Sequence, residues 1–403
     1  MKVLVVGSGG REHALAWALA RSSRLTELHA APGNPGIATL ANCHPVRADD
    51  VASLVPLAGE LGIDLVVVGP EAPLVAGVAD ELRHRGIAVF GPGAAAARIE
   101  GSKAFSKEIM DAAGVPTART LAVARTPCVV KADGLAAGKG VWVCRTPAEL
   151  DAGLLAAEAL GQPFHVEELL EGEEVSIFAL CDGRTALPLP AAQDYKRIGD
   201  GDEGPNTGGM GSYSPVPRLS EPEVTELVGS VCGPVLVELA RRGSPFVGAL
   251  FAGLMLTEDG PRVLEFNCRF GDPETQSLLP RLEGDLLEAL AAAAAGELRG
   301  VSLGASDSAA VTVVLAARDY PKRGDSGTPI AGIEDAEAAG TLVFHAGTAL
   351  QEGRLVTNGG RILNVTALGD SLGDARDAAY AAAGRIDFAG VRFRSDIAAF
   401  TRA

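Results

Sequence analysis

The first hundred residues alternate uninterrupted apolar segments with segments whose apolar residues recur at helical spacing. The apolar segments KVLVV, DLVVVG and IAVFGP run into glycine-containing turns, and REHALAWALARS and AGVADELRHRG lie between them. Apolar strands that alternate with helices in this way are typical of a parallel sheet with both faces covered. We therefore predict an α/β domain over residues 1–100, with ligands at the carboxyl ends of its strands.

From residue 101 onward the pattern changes to alternating β-formers. CVVKADG and GVWVCR predict a hairpin around a glycine-rich loop, and FVGALFAGLMLTEDGPRVLEFN predicts a longer hairpin that turns at 258–260. PFHVEELLEGEEVSIFAL is typical of strand, turn, strand. Beyond GVSLGASDSA (300–309), the segments AAVTVVLAA, TLVFHAGTAL and RILNVTALG predict strands before a final helix. We predict an α+β domain at 101–300 and a further domain at 301–403.

Composition narrows the class of protein. Of the 403 residues, 47% are hydrophobic and 21% charged, as expected of a globular chain. The net charge of −16 argues against a nucleic-acid partner, which would favour a basic surface. The six cysteines form no C-x-x-C pair, so reduced thiols are expected rather than a zinc site or disulfides.

The N-terminal apolar segment is too short for a signal sequence, and the alanine-rich run at 286–296 is too short for a membrane span. A cytoplasmic enzyme without a membrane partner is expected.

The turn GSGGRE follows the first strand and precedes the first helix. Glycines in such a turn allow backbone N–H groups to face an anion at the helix N-terminus. A dinucleotide-binding turn has a third glycine where this chain has Glu12, and the next strand, ELHAAPG, ends without the acid that would hold a ribose. A nicotinamide cofactor is therefore disfavoured. A mononucleotide, a sugar phosphate or a tight turn without a ligand all remain compatible with the pattern.

Two acidic segments suggest metal and nucleotide contacts. In VLEFN, Glu265 and Asn267 are two residues apart on a strand and share one face, which suits a hard cation such as Mg²⁺. When only the pattern E-x-N is present, a polar, solvated strand face is the more common explanation. The segment that follows here, CRFGDPETQ, has a composition that is unusual for a turn. The acids of VEELLEGEEVS (166–176) fit either a solvated hairpin end or the rim of a nucleotide site.

Two glycine-rich loops complete the candidate chemistry. KADGLAAGKG (131–140) combines glycines with two lysines, which favours a phosphate ligand. It is not a P-loop, because only three residues separate Gly134 from Gly138 and because Gly140 stands where a Ser or Thr would hold Mg²⁺. DYKRIGDGDEGPNTGGMGSYSP (194–215) predicts a long loop without compact structure, and its charged and amide side chains favour a substrate loop.

These motifs, in chain order, closely resemble the glycinamide ribonucleotide synthetase (phosphoribosylamine–glycine ligase) family of the ATP-grasp superfamily. The resemblance is carried by VVGSGGREHALAW, APGNPG, VGPEAPLVAGVAD, GSKAFSK, VVKADGLAAGKGV, GPNTGGMGSYSP, EFNCRFGDPETQ and VTNGGRILNVTALG. It implies a Rossmann-like N-terminal domain, an ATP-grasp core with a lid subdomain at about 117–179, and a β-rich C-terminal domain. The implied reaction joins glycine to 5-phosphoribosylamine, with cleavage of ATP to ADP and phosphate, in purine synthesis.

The resemblance also implies roles for individual residues. Glu265 and Asn267 are the expected ligands of Mg²⁺ or Mn²⁺, and Arg269, Lys131 and Lys139 are the expected catalytic residues. The expected ATP-binding residues are Lys103, Lys131, Gly138, Lys139, Gly140, Glu167, Glu168, Leu170 and Glu174. The expected residues for glycine and phosphoribosylamine are Gly9, Gly10, Asn34, Glu71, Asp194, Asn206, Gly208, Arg269, Asp272 and Arg361. The six scattered histidines are given no role, and a monomer or weak dimer is expected.

The chain departs from the family pattern in two places. The segments TLAVARTPCVVKADG and EALGQPFHVEE are short, which predicts a trimmed lid with altered ATP affinity or closure rate. Gly253 stands where many ATP-grasp enzymes have an acid, so Asp194 or phosphate oxygens are the candidates to complete the metal shell. The alternatives are another ATP-grasp carboxylase or formate-using ligase, a non-catalytic nucleotide-binding protein and, least favoured, an NAD dehydrogenase.

Overall fold

The computed structural model describes residues 1–134 and 140–399, and it begins with a five-stranded parallel sheet. The strands pair in the order β3-β2-β1-β4-β5, and the apolar run from Val3 to Val6 is wholly buried at its centre. The parallel sheet predicted from the alternating pattern is confirmed. Its elements are β1 Lys2–Gly7, α1 Gly10–Leu19, β2 Glu27–Pro32, β3 Asn42–Cys43, α2 Val51–Leu61, β4 Leu65–Val68, α3 Glu71–Val75, α4 Val78–His84, β5 Ala88–Phe90 and α5 Ala94–Gly101.

The rest of the described chain is dominated by antiparallel strands. Its elements up to the large hairpin are α6 Lys103–Ala113, β6 Cys128–Ala132, β7 Val141–Cys144, α7 Pro147–Ala159, β8 Phe164–Glu168, β9 Glu173–Asp182, β10 Ala186–Asp194, β11 Arg197–Gly199, β12 Glu203–Asn206, β13 Gly211–Ser214, α8 Glu221–Leu227, α9 Gly233–Arg241, β14 Val247–Thr257 and β15 Gly260–Asn267. The later elements are α10 Glu274–Leu278, β16 Leu282–Glu283, α11 Leu286–Ala295, β17 Gly304–Ala305, β18 Ala309–Ala316, β19 Asp325–Pro329, α12 Ile333–Glu337, β20 Leu342–His345, β21 Thr348–Gln351, β22 Arg354–Gly359, β23 Arg361–Gly369 and α13 Leu372–Ala383.

One eight-stranded sheet runs through most of this region, in the order β15-β14-β9-β10-β13-β18-β23-β20. The predicted β14–β15 hairpin is confirmed, with Thr257 opposite Gly260 at its turn. One apolar cluster packs α6 and α9 against this sheet and extends into the parallel-sheet unit, so the two sheets share a core. A separate cluster packs α13 on β18 and β23.

A small antiparallel sheet, β7-β6-β8, stands apart from the large one. The predicted hairpin of β6 and β7 is confirmed, with Cys128 opposite Cys144. The reading of the acidic segment as a hairpin end is wrong, because β8 pairs with β6 whereas β9 joins the large sheet. The segment between β8 and β9 therefore crosses from one sheet to the other, with Glu167 on β8 before the crossing and Glu174 on β9 after it.

Two further expectations need correction. The glycine-rich segment at 194–215 is not structureless, since β11 and β12 form a two-stranded ribbon and β13 joins the large sheet. The segment TLVFHAGTAL is not one strand, because it divides into β20 of the large sheet and β21 of the β19-β22-β21 sheet. Within the described residues, no helix combines the length and apolar character needed to cross a bilayer.

Candidate active site

The glycine-rich turn after β1 already holds a carboxylate of the protein itself. Glu12 Oε2 accepts the Gly9 N–H at 2.6 Å, and Glu12 Oε1 accepts Arg11 Nε–H at 2.6 Å. A Cβ placed on Gly7 or Gly69 would lie 2.5 and 2.1 Å from atoms of Glu12. The side chain that replaces the third glycine thus occupies the cradle in which a dinucleotide phosphate would lie.

The same turn is the meeting point of three parts of the chain. A Cβ on Gly10 would come within 2.2 Å of Asn364 Nδ2 and 2.7 Å of Gln276 Nε2, so a larger residue would displace these two side chains. Asn34 donates from Nδ2 to the carbonyl oxygens of Ser8 and His345, both at 2.9 Å. Gly9, Gly10 and Asn34 therefore lie together, at the contact of the parallel-sheet unit with α10 and β23.

Glu265 and Asn267 end β15 on one face, opposite Gly253 and Phe251 of β14. The Glu265 carboxylate forms no hydrogen bond or ion pair with any residue that the structure describes, and Asn267 Nδ2 is buried without a partner. Burial would raise the pKa of Glu265, but neighbouring positive charges outweigh it and keep the pKa below its ordinary value. Those charges belong to Lys103, Lys196, Lys131 and Arg269.

Arg269 is held by acids of the parallel-sheet unit. Its Nη2 lies 2.9 Å from Glu100 Oε1, and its Nε lies 3.4 Å from Glu71 Oε2. The same Nη2 donates to Asn267 Oδ1 at 3.2 Å, and Nη1 donates to the Phe270 carbonyl at 3.2 Å. The structure therefore brings the predicted residues Glu71, Asn267 and Arg269 together, and it adds Glu100 to them.

Lys131 on β6 points into the cleft between the small and large sheets. Its Nζ lies 2.7 Å from Glu167 Oε2 and donates to the Leu264 carbonyl at 3.0 Å. Glu167 Oε1 also lies 3.0 Å from Lys107 Nζ and 3.0 Å from His165 Nε2. Burial would raise the pKa of Glu167, but the hydrogen bond from His165 and the charges of Lys131 and Lys107 lower it to about 2. Lys131 is thus held beside the strand that carries Glu265.

A second charged cluster lies on the large sheet. Lys196 Nζ contacts the Glu174 carboxylate and lies 3.0 Å from Asp194 Oδ1. Burial would lower the pKa of Lys196, but Asp194 and Glu174 outweigh it and raise the pKa well above its ordinary value. Lys196 is therefore a fixed cation between two predicted ligand-binding acids.

Arg361 connects the C-terminal strands to the loops after β12 and β15. Its Nη2 lies 2.9 Å from Asp272 Oδ2, and its Nη1 donates to the carbonyl oxygens of Asp272, at 2.8 Å, and Gly208. The Gly208 N–H donates to the Tyr320 hydroxyl at 2.9 Å. Arg361 therefore contacts two other predicted substrate residues, Gly208 and Asp272. Asn206, also predicted, ends β12 two residues before Gly208.

The remaining predicted residues fall into three groups. Glu168, next to Glu167 on β8, is not brought into the cluster and instead pairs at 2.6 Å with the largely exposed Arg119. Leu170 lies between β8 and β9, and Gly140 directly precedes β7. The predictions for Gly138 and Lys139 lie outside the described residues.

Sequence reasoning gave no individual role to four polar residues that organise the site. His165 stands two positions before Glu167 on a predicted strand, and Lys107 stands four after Lys103 in a helical segment, so periodicity could have indicated both. Lys196 lies in the segment 194–215, which was predicted to be a loop. Without a predicted helix or strand, the direction of its side chain could not be inferred. Glu100 pairs with a residue 169 positions away, so no local pattern indicates it.

Three features together define an ATP-grasp enzyme. They are the parallel-sheet unit, the large sheet with the pair Glu265 and Asn267, and the small sheet that carries Lys131 beside that pair. A biotin carboxylase domain of a 2-oxoglutarate carboxylase from Hydrogenobacter thermophilus shares the fold, with a TM-score of 0.72 at 21% identity over 97% of this chain and 91% of that one. Models of the phosphoribosylglycinamide synthetase N domain, ATP-grasp (A) domain and C domain match residues 1–100, 101–275 and 310–400. The chain belongs to the phosphoribosylglycinamide synthetase family and is an ATP-dependent ligase.

Individual relatives agree over nearly the whole chain. The phosphoribosylamine–glycine ligase of Mesorhizobium japonicum is 51% identical, with 98% of this chain and 97% of the relative covered. That of Streptomyces coelicolor is 52% identical, with 99% of both covered. The crystal structure of the Thermotoga maritima phosphoribosylamine–glycine ligase has a TM-score of 0.85 at 34% identity, over 98% of this chain and 100% of that one. The match to the Mesorhizobium relative extends over 414 positions, so this 403-residue chain lacks residues that the relative has.

Proposed function

We propose that the chain joins glycine to 5-phosphoribosylamine, with cleavage of ATP to ADP and phosphate, as the names of its relatives indicate. The observation that carries the proposal is the pair Glu265 and Asn267 at the end of β15. Lys131 donates to the carbonyl of Leu264, next to Glu265, and Arg269 donates to Asn267 Oδ1. Asp272 and Gln276, farther along the same segment, lie against Gly9 and Gly10 of the turn after β1. This arrangement can hold a triphosphate, an acyl group and a sugar phosphate at one place. A nucleic-acid partner is not part of the proposal.

The proposed first step forms an acyl phosphate. A carboxylate oxygen of glycine attacks the γ-phosphorus of ATP, the bond to the bridging oxygen breaks, and ADP leaves with the electron pair. Negative charge accumulates on the phosphoryl oxygens, and preorganised cations stabilise it. Lys103, Lys131 and Arg269 are the described residues proposed for this role, together with Lys139.

The proposed second step forms the amide. The amine of phosphoribosylamine attacks the acyl carbon of glycyl phosphate, phosphate leaves, and the nitrogen loses a proton. An acyl phosphate hydrolyses in water, so the small sheet β7-β6-β8 would serve as a lid that excludes water. No covalent enzyme intermediate is required, which agrees with a site built from carboxylates, lysines and arginines.

The binding roles follow the position of each residue. We assign Glu167, Glu168, Leu170 and Glu174 to the nucleoside on the family resemblance and because they flank the crossing from β8 to β9. For Glu168 this role would require release from its ion pair with Arg119. The glycine-rich segment that includes Gly138 and Gly140 is assigned to the phosphates. The amino acid and the sugar phosphate are assigned to the residues near the turn after β1 and the Arg361 contact, namely Gly9, Gly10, Asn34, Glu71, Asp194, Asn206, Gly208, Asp272 and Arg361.

The donor set fits Mg²⁺ or Mn²⁺. The Glu265 carboxylate, which has no partner among the described residues, and the Asn267 amide oxygen are hard ligands, and their number leaves room for phosphate oxygens. No group of three or more Asp, Glu, His or Cys side chains with metal-binding geometry occurs among residues 1–134 and 140–399, so phosphate oxygens are needed to complete the shell. The ion would neutralise phosphate charge when bound.

The decisive experiment measures ADP release from Mg-ATP with glycine and with phosphoribosylamine generated in the assay. Release that requires both substrates supports the proposal. Release that requires bicarbonate or formate instead would assign a different ATP-grasp reaction to the same site.

A reduced, cytoplasmic setting is also proposed, because all six cysteines are free thiols and five of them are buried. We propose a monomer or weak dimer as well, which sedimentation would test.

A further inference from the structure

Arg281, between α10 and β16, is a buried cation without an acidic partner. Three arginines of the described chain are buried, namely Arg11, Arg281 and Arg394, with 7%, 4% and 1% of their surface exposed. Arg11 Nε lies 2.6 Å from Glu12 Oε1, and Arg394 Nη1 lies 2.7 Å from Asp202 Oδ1. Arg281 instead uses only neutral acceptors and forms no ion pair with any acid that the structure describes. Because a buried guanidinium without a counterion keeps much of its desolvation cost, Arg281 is suited to an anionic ligand.

The neutral acceptors leave part of the Arg281 guanidinium unused. Its Nε donates to the Ser308 carbonyl at 2.6 Å, Nη2 to the Ser306 carbonyl at 3.0 Å, and Nη1 to Ser214 Oγ at 2.6 Å. A guanidinium has five N–H groups, so one on Nη1 and one on Nη2 remain without an acceptor among the described residues. Two such N–H groups can donate together to the two oxygens of a carboxylate.

Arg281 forms part of the wall of a cavity of about 150 Å³. The opposite character dominates the rest of the wall, which is largely apolar and includes Pro188, Pro190, Pro215, Leu219 and Val224. Proline has no N–H, so these walls offer little to a polar ligand. An engineered cavity of about this volume holds benzene, so there is room for about six non-hydrogen atoms.

The acid nearest to this cavity does not neutralise Arg281. Glu221 is the one acid among the described residues of the wall, and it is exposed at the start of α8. Burial lowers the pKa of Arg281, and the charges of Glu221 and Asp307 offset that effect only in part. The positive charge at the cavity is therefore not fully compensated within the described chain.

We propose that this cavity binds a short-chain organic monocarboxylate, whose carboxylate pairs with Arg281 and whose apolar chain lies against the prolines. An inorganic anion would leave the apolar walls unused, and a neutral molecule would leave the guanidinium without a charge partner. The wall contains none of the residues assigned above to ATP, glycine, phosphoribosylamine or the metal. The inference is therefore independent of the proposed ligase reaction.

The test titrates butyrate, a probe of suitable size, into the full chain and measures binding by saturation-transfer NMR of its methyl signal. Glycine is present throughout, so that butyrate does not occupy the site proposed for that amino acid. Butyramide has the same shape without the charge, and inorganic phosphate, tested as a competitor, has charge without the apolar chain. Butyrate is expected to bind saturably, and the other two at least about tenfold more weakly.

Three substitutions of arginine locate the site. Arg281→Met removes the charge and is expected to weaken butyrate binding about tenfold or more. Arg281→Lys keeps the charge but loses the planar pair of donors, so an intermediate weakening is expected. Arg299→Met, at an exposed arginine after α11, is the matched control and should leave binding unchanged.

Val224→Phe tests the cavity without altering Arg281. The larger side chain fills the space from α8 and should abolish butyrate binding, and this variant carries the test if the Arg281 variants do not fold. The inference is overturned by the absence of saturable butyrate binding, by equal binding of butyramide or phosphate, or by unchanged binding in Arg281→Met or Val224→Phe. None of these measurements uses ADP release, so their failure and that of the ligase proposal are distinguishable.

Discussion

Glu12 shows how one side chain can change the use of a familiar turn. The turn after β1 has the glycines and the helix N-terminus that suit an anion, and the carboxylate of Glu12 supplies that anion from within the chain. The sequence indicated that the third glycine was missing, but not that the replacing side chain would fold back. That outcome depends on Gly69, which approaches from a neighbouring strand.

Gly69→Ala tests this packing. The new Cβ would lie 2.1 Å from Glu12 Oε1 and would displace a buried, hydrogen-bonded carboxylate. We expect a loss of about 1–3 kcal/mol in the free energy of unfolding, measured by urea denaturation. Gly59→Ala is the matched control, because that glycine lies inside α2 with nothing within 4 Å of the new Cβ. The control should gain about 0.5–1 kcal/mol from helix propensity. Equal effects of the two substitutions would contradict the packing argument.

Glu265→Ala tests the metal-ligand pair at the same scale. Removal of the carboxylate should lower the rate of ADP formation by about 10² or more, because charge on the transferred phosphoryl group is then poorly neutralised. Glu258→Ala, at the exposed turn of the same hairpin, should have full activity. A fully active Glu265→Ala variant would remove the pair from the mechanism.

At the scale of elements, the small sheet β7-β6-β8 carries its own polar core. Glu167 joins Lys107, Lys131 and His165 on the side of β8 that faces the cleft, whereas Glu168 faces outward to Arg119. Strand alternation alone places the two glutamates on opposite faces. The alternation therefore separates a buried charge cluster from an exposed ion pair along one strand.

The low pKa of Glu167 predicts a pH dependence of stability. Its pKa in the folded chain is about 2, below the ordinary value of 4.5, so its contribution is present above pH 4.5 and is lost as the pH falls toward 2. The difference between the folded-state pKa and the ordinary pKa limits that contribution to about 3 kcal/mol. The stability difference between the unmodified chain and Glu167→Gln should therefore shrink between pH 5 and pH 3. Denaturation followed by the fluorescence of Trp142 on β7 would report it.

Glu168→Gln is the control for this measurement, because Glu168 pairs with an arginine whose side chain is 78% exposed. An exposed pair of this kind contributes less than about 1 kcal/mol, so little pH-dependent difference is expected. A difference for Glu167→Gln that stays constant down to pH 3 would contradict the assignment.

The elements themselves were largely predictable, and the errors have a physical cause. Apolar strands and helical spacing are local properties, so β1, β4, β6 and the β14–β15 hairpin follow from the pattern. The assignment of β8 and β9 to different sheets does not follow, because it depends on partners far along the chain. The ribbon of β11 and β12 was missed because its glycines conceal the alternation.

For the site, matched motifs supplied the candidate residues, whereas the contacts between those residues required the structure. Asp272, Gly208 and Arg361 were each expected near the substrates. Their direct contact with one another, and the addition of Tyr320, come from the folding of the C-terminal strands onto the loop after β12.

At the scale of the whole molecule, Arg361 joins parts of the chain that are distant in sequence. Arg361→Ala should remove the contacts to Gly208 and Asp272 and raise the apparent KM for phosphoribosylamine about tenfold or more, since each charge-assisted hydrogen bond contributes about 1.5–3 kcal/mol. The affinity for ATP should change little.

Steady-state kinetics of Arg361→Ala with each substrate varied in turn would check this separation. Arg354→Ala, on the exposed face of β22, should behave like the unmodified chain. A KM for phosphoribosylamine that does not change would place the sugar phosphate elsewhere.

The eight-stranded sheet has a further consequence for how the chain can be divided. Within it, β13 pairs residue by residue with β18, from Gly211 opposite Val313 to Ser214 opposite Ala310. A fragment that ends near residue 300 would expose the whole hydrogen-bonding edge of β13, which is a template for aggregation. We therefore expect the stretches matched by the ATP-grasp and C-domain models not to fold independently of each other. Gene truncation or domain exchange between them should yield insoluble protein unless a replacement strand is supplied.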